Sequence, residues 1–171
     1  SVSRGLGDVY KRQIMYIGLP SGIEALNIGE RSDKMMERQF TNTIQRLRDA
    51  GLRPTKQRVG LAHLLYTNGN RHVTADKLHM ESQQSGMKVS LATVYNTLHQ
   101  FCDAGLLREV IVEPGRSYFD TNVDSHHHFF NPKSGELTDI PDGQVEVSVL
   151  LAPPPGTSVE EVSVVVRVSN T

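Results

Sequence analysis

The chain has 171 residues, of which 37% are apolar and 22% charged, with a formal net charge of -1. That composition is ordinary for a globular protein and allows one large domain or two small ones. No apolar run reaches the ~18 residues needed to cross a bilayer. A single cysteine, Cys102, excludes an intrachain disulfide framework and a cysteine-based zinc site, and the lack of a secretory signal points to the cytoplasm.

The charge is unevenly placed. Residues 38–121 carry 11 Lys/Arg against 7 Asp/Glu, whereas residues 122–171 carry 2 against 7. A basic middle followed by an acidic end suggests two domains, the first able to meet a polyanion.

In chain order, residues 1–13 read as non-native sequence and 14–36 have no clear period, so 1–36 is set aside as a leader. Phe40, Ile44 and Leu47 predict a short helix ending at Gly51. Thr55 caps a second helix with Val59, Ala62, Leu64 and Leu65 as its apolar stripe, ended by Asn68-Gly69-Asn70. Thr74 caps a third, with Ala75, Leu78 and Met80 facing inward, ending near Gly86. Ser90 caps a fourth that Gly105 stops.

The fourth helix, SLATVYNTLHQFCDAG, organises the rest. Leu91, Val94, Leu98, Phe101 and Cys102 form its apolar face. The opposite face carries Thr93, Asn96 and Gln100, with Ala92 and Thr97 beside them and Tyr95 at the border. Small, uncharged hydrogen-bonding groups of this kind can read base edges in a major groove. The bland alternative is an ordinary amphipathic helix with a polar outside.

Beyond Gly105 the period changes. Residues 107–112, then Pro114-Gly115, then Ser117-Tyr118-Phe119 read as a hairpin with a type II turn. Three helices and a hairpin are the plan of a winged helix-turn-helix, in which the helix before the wing enters the major groove. Arg46, Arg48, Arg53, Lys56, Arg58, Lys88, Arg108 and Arg116 could contact phosphates. Residues 122–125 read as a hinge. His126-His127-His128-Phe129-Phe130 and residues 136–140 follow as strands around an Asn-Pro-Lys-Ser-Gly turn. Residues 145–151 fit a strand or a helical turn. Residues 162–168, VSVVVRV, read as a strand wanting burial on both faces, which implies dimerisation.

In a strand, His126 and His128 share a face and His127 points away. Two imidazoles near Asp120 and a further His make a transition-metal or haem site. His63, His79 and His99 read as structural, and His72 on its own as a helix-start residue.

AGLRPTKQR, the His72-Val73-Thr74-Ala75 helix entry, SLATVYNTLHQFCDAGLL, the wing ending in SYFD, and HHHFF together resemble the ferric uptake regulator (Fur) family over roughly residues 38–140. The resemblance implies an α+β fold. Residues 37–121 would form an N-terminal winged-helix DNA-binding domain, 122–125 a hinge, and 126–171 a small α/β dimerisation and effector-sensing domain. It implies His72, Asp120, His126 and His128 as ligands at the domain junction, with His127 an additional candidate, and a DNA contact from Tyr95; with the helix face and basic residues read above, the expected DNA-binding set is Tyr95, Thr93, Asn96, Ser90, Arg58, Arg53 and Lys56.

The Cys-x-x-Cys pair of many members is replaced by Asn131-Pro132-Lys133-Ser134, so a structural zinc held by four cysteines is not expected. The short, cysteine-poor end with HHHFF looks most like the iron response regulator subgroup, which implies haem as effector. A divalent ion (Fe, Mn or Zn) acting as corepressor is the alternative. The implied partners are a palindromic, AT-rich duplex and a second copy of the chain, with no membrane. A small metal-dependent hydrolase is the competing class, and a haem- or metal-storage module a third.

Overall fold

The structure is a computed structural model and describes residues 29–171 apart from 68, 149–151 and 171, with side chains from residue 38 onward. Readings that fall on residues 1–28 and 149–151 lie outside the described residues.

Four helices come first: α1 (Gly29–Asp49), α2 (Lys56–Tyr66), α3 (Ala75–Gln84) and α4 (Leu91–Asp103). The caps expected for the last three are in place. Thr55, Thr74 and Ser90 each accept a bond from the backbone N–H three residues on, at 3.3, 3.2 and 3.1 Å. Two stops share one geometry. After α1, the N–H of Leu52 donates to the carbonyl of Leu47 at 2.8 Å, with Gly51 at φ 74; after α4, Leu106 donates to Phe101 at 2.8 Å, with Gly105 at φ 68. This closure needs a left-handed residue at the turn, which glycine adopts without strain. The described part of helix α1 begins at Gly29, so the helix runs across the leader boundary expected at residue 37.

Three strands then complete the first sheet: β1 (His72–Val73), β2 (Arg108–Glu113) and β3 (Arg116–Asp120), in the order β1-β3-β2. The expected wing hairpin is β2–β3, turning at Pro114-Gly115. Strand β1 has no signal in the sequence, because two residues before a helix cap carry no periodicity.

The second sheet has β4 (His127–Asn131), β5 (Glu136–Ile140) and β6 (Val165–Arg167), in the order β5-β4-β6, with β6 parallel to β4. Of the expected strand over 162–168 only three residues pair, and Val166 is 36% exposed. Among the described residues 145–148 there is neither strand nor helix.

The first sheet is sandwiched. Phe119 and Leu107 face the helices, where they join Leu47, Val59, Leu61, Leu65, Val94, Leu98 and Phe101 in one core. Val110, Val112 and Tyr118 face the second sheet, meeting Phe130, Leu137 and Val165. Two side-chain expectations fail. Met80 is 52% exposed, while Thr97 is buried and donates to the carbonyl of Thr93 at 2.8 Å. Met80 lies two residues from the inward-facing Leu78, which turns it away from the core on a 3.6-residue helix.

Candidate metal centre

Strand pairing brings the ligands together at the junction of the two sheets. The register of β1 against β3 sets His72 opposite Asp120. That register is clamped next door, where Arg71 N–H donates to Thr121 Oγ1 at 2.8 Å and Thr121 N–H to the Arg71 carbonyl at 3.2 Å. The Arg71 guanidinium is in turn bound to Glu81 at 2.6 Å. His126, just ahead of β4, and His128 within it lie two apart and turn to the same side. The antiparallel register of β4 and β5 then sets Asp139 opposite His128.

The result is five donor atoms aimed at one point. His72 Nε2 is 3.3 Å from Asp120 Oδ2 and 2.8 Å from Asp139 Oδ1; His126 Nε2 is 3.0 and 3.2 Å from the same oxygens; His128 Nε2 is 3.5 and 3.7 Å away. All five atoms lie within 4.8 Å of one another. Asp120 and His128 are fully buried.

These close approaches are not hydrogen bonds. The Nε2 atoms of His72, His126 and His128, Asp120 Oδ2 and Asp139 Oδ1 are all buried and lack any partner of hydrogen-bonding geometry. Buried polar atoms that converge without hydrogen-bonding geometry are costly unless a cation, or protons shared among them, balances the charge. Burial pushes the Asp120 carboxyl up, but His128, His72 and the N–H of Asn122 (2.8 Å to Oδ1) outweigh it and hold it well below the usual carboxylate range. Asp120 is therefore a carboxylate, with one oxygen engaged and the other facing the cluster. His126 is fixed likewise: its Nδ1–H donates to the carbonyl of Asp124 at 2.7 Å, which leaves Nε2 as a lone pair.

Three imidazoles and two carboxylates suit a borderline divalent ion such as Fe(II), Mn(II) or Zn(II). A thiolate-loving ion finds no sulfur here, and a calcium site would be built from oxygens. The donor set fits the metal that the sequence implied.

All four candidate ligands read from the sequence are thus brought together, and Asp139 is a fifth candidate that sequence reasoning missed. Its signal lies in the turn: pairing Asn131 with Glu136 across residues 132–135 fixes 128 opposite 139. His127 is not in the cluster. It stands on the other face of β4, where its Nδ1 accepts the N–H of Val164 at 3.3 Å. In place of a cysteine pair, Asn131 Oδ1 accepts the N–H groups of Lys133 and Ser134 at 3.0 and 3.3 Å and builds a plain turn.

The outward face of α4 is a second surface. Tyr95 is 40% exposed, Asn96 is exposed and Thr93 half-buried, while the Ser90 hydroxyl is engaged as the cap. Arg53 and Lys56 are exposed at the start of α2. Arg58 is not free: Nε and Nη2 grip Gln100 Oε1 at 3.1 and 2.8 Å, and Nη1 donates to the Arg53 carbonyl at 2.9 Å. It pins α4 to the α2 entry.

The family model for the ferric uptake regulator family matches residues 49–164, which contain every element from α2 onward except β6. The chain belongs to the ferric uptake regulator family. The ferric uptake regulation protein of Neisseria meningitidis is 30% identical over 106 residues, covering 61% of this chain and 74% of that protein. The peroxide-responsive repressor PerR of Staphylococcus aureus is 32% identical over 104 residues, covering 61% and 70%. The ferric uptake regulator of Pseudomonas aeruginosa, solved with manganese, superposes with a TM-score of 0.57 at 29% identity, over 74% of this chain and 96% of that one. The expected fold class, a winged helix followed by a small α/β domain, stands. Members of the ferric uptake regulator family are DNA-binding transcriptional regulators and form dimers, which favours that class over the small hydrolase. Among the described residues no helix is long and apolar enough to cross a membrane.

Proposed function

We propose that this chain is a metal-responsive transcriptional repressor of iron homeostasis, whose effector is a divalent ion held by His72, Asp120, His126, His128 and Asp139. The observation that carries this reading is the convergence of five buried, unpartnered donor atoms on one point between two sheets. An ion there supplies the positive charge that the buried Asp120 carboxylate and the inward-facing Asp139 Oδ1 lack. His72 and Asp120 come from the winged helix, the other three from the second sheet. Their shared occupancy favours one arrangement of the two and so couples ligand to DNA affinity. Tyr95, Asn96 and Thr93 are the groups proposed to read bases, with Arg53 and Lys56 on phosphates and Ser90 placing the helix N-terminus. The partner is a palindromic, AT-rich duplex met by two copies of the chain.

Haem, the effector of the iron response regulator subgroup, is the second reading, motivated by the three consecutive histidines. The geometry favours the ion. His128 is 0% exposed and His126 8%, which leaves no flat opening through which a macrocycle could present its iron to either Nε2. The test is fluorescence anisotropy of a labelled AT-rich palindromic duplex with protein that is metal-free, loaded with Mn(II), or treated with haemin. Tight binding with Mn(II), lost on chelation and indifferent to haemin, is the expected result. Metal-independent binding that haemin releases would replace the ion with haem, and a flat salt dependence with no duplex preference would remove the regulator reading altogether.

A further inference from the structure

Arg108, the first residue of β2, belongs by sequence to the basic set that could meet phosphates. Its surroundings assign it elsewhere. The side chain is only 13% exposed, and its Nη2 pairs with the Glu161 carboxylate. Its Nη1 donates to the backbone carbonyl of Asp124 at 3.1 Å. That same carbonyl accepts the Nδ1–H of His126 at 2.7 Å. Residues 123–125 around it are exposed, and the Asp124 N–H donates to Asn122 Oδ1 at 3.3 Å. Glu161 in turn accepts from Ser125 Oγ at 3.5 Å and lies three residues before Val164, whose carbonyl takes the His128 N–H at 3.0 Å.

We propose that Arg108 is a positioning residue for the metal centre, acting from the wing strand through the Asp124 carbonyl to fix the orientation and tautomer of His126, with Glu161 holding its guanidinium in place. A metal-ligating imidazole is held by what its other nitrogen donates to, and here that acceptor sits on a loop which a cation from the DNA-binding half anchors. The ligand His126 and the wing are thereby joined through two hydrogen bonds. Nothing comparable supports His128, whose Nδ1 is buried without a partner.

This inference rests on the cluster holding a divalent ion, and Co(II) tests the two separately. Its visible absorption reports both affinity and coordination, and it is titrated into the full-length chain and into Arg108→Met, Arg108→Lys and Glu161→Gln. Failure of the unaltered chain to give a ligand-field spectrum would sink the metal reading itself. With that spectrum present, Arg108→Met is expected to weaken Co(II) binding about ten- to hundred-fold, the range for outer-shell partners of a ligating histidine, and to alter the spectrum. Arg108→Lys, which keeps the charge but cannot span both acceptors, restores part of the loss. Glu161→Gln, which loosens the guanidinium without removing it, weakens binding by less than Arg108→Met does. If Arg108→Met fails to fold, Glu161→Gln, a change at a 45%-exposed side chain, decides alone by that loss or its absence. Variants that bind Co(II) within about twofold of the parent with the same spectrum overturn the proposal, since outer-shell partners of a ligand are worth more than that. A salt slope of duplex binding lowered by about one in Arg108→Met, with Co(II) binding unchanged, would return Arg108 to the phosphate contacts.

Discussion

The two sheets obey the same alternation but differ in how much they bury. In β3 the neighbours Tyr118 and Phe119 point to opposite sides, and both are buried, one against the second sheet and one against the helices. In β6 Val165 packs inward while Val166, and Val168 just beyond the strand, remain 36% and 37% exposed. In the first sheet both Tyr118 and Phe119 are buried by the chain itself, although Ile111 of β2 stays 68% exposed; in the second, the described residues bury one face of β6 and leave Val166 and Val168 partly open. The winged helix therefore carries its own core, while the C-terminal sheet buries Phe130 and Leu137 against the far face of the first sheet.

The largest effect that separates the two regions is a core deletion. Phe101 is wholly buried where α4 meets the first sheet. Phe101→Ala is expected to cost about 3–5 kcal/mol in chemical denaturation, because a large cavity opens among residues that cannot collapse onto it. An equal loss from a substitution in β6 would mean that the second sheet is as self-supporting as the first.

Next in size is the proposed metal, which would bridge the two regions. At a metal concentration roughly a hundredfold above the dissociation constant, binding adds about 2.7 kcal/mol to stability. Chelation removes that increment, and Asp120→Asn should abolish it, since one of the two carboxylates that meet the ion is lost. The same variant tests the carboxylate without metal. Because the folded Asp120 carboxyl is held below its unfolded range, its contribution is present above about pH 4 and is lost as pH falls toward the depressed value. The apo acid-denaturation limb should therefore flatten in Asp120→Asn. An unchanged limb would mean that His128, His72 and the Asn122 N–H do not hold the charge.

How far these features are legible in the sequence follows from the range over which each is encoded. Caps at Thr55, Thr74 and Ser90 are local, and they stand where residue type predicts them. His126 and His128 are tied by strand period and Asp120 lies a few residues before them, whereas the place of His72 among them follows only from the family resemblance. Asp139 needed a register that only the 132–135 turn fixes. Arg58 and Arg108 read as phosphate contacts because a charge shows no partner in sequence: the Gln100 that Arg58 grips lies 42 residues away, and the carbonyl that Arg108 meets 16. The run VSVVVRV has strong β-propensity throughout, but propensity without a neighbouring strand pairs nothing, and only three residues lie beside β4.

A smaller effect concerns the helix that ought to read DNA. The Ser90 hydroxyl accepts the Thr93 N–H at 3.1 Å. Ser90→Ala is expected to cost about 1 kcal/mol of stability. Frayed at its first turn, α4 would also hold Thr93 less firmly, so duplex affinity should fall while Co(II) binding at the distant cluster stays the same. A parallel loss of metal binding would show that the two surfaces are one cooperative unit. Cys102, near the far end of the same helix, provides a check on its packing. Burial, then Glu109 and Asp103, push the thiol up to about 11, so it stays neutral and alkylates slowly at about pH 8 in the native chain and readily once unfolded. Fast native alkylation would mean that α4 is not seated on its core.

The smallest effect is expected at the open face of β6. Val166 contributes little buried area within one chain, so Val166→Thr should change the stability of an isolated chain by no more than about 0.5 kcal/mol. The proposed dimer gives this variant its value. If a second copy covers Val166, Val168 and the neighbouring apolar face, the hydroxyl would be buried without a partner, at about 1–3 kcal/mol. The loss would then depend on protein concentration, because it is felt only in the assembled state. Denaturation midpoints measured across a roughly hundredfold concentration range separate the outcomes. A small, concentration-independent change leaves the face open to solvent, and a larger one that shrinks on dilution, as the assembly comes apart, places a partner on it. The partial exposure of Val166 and Val168 would then be a property of the single chain, removed on assembly.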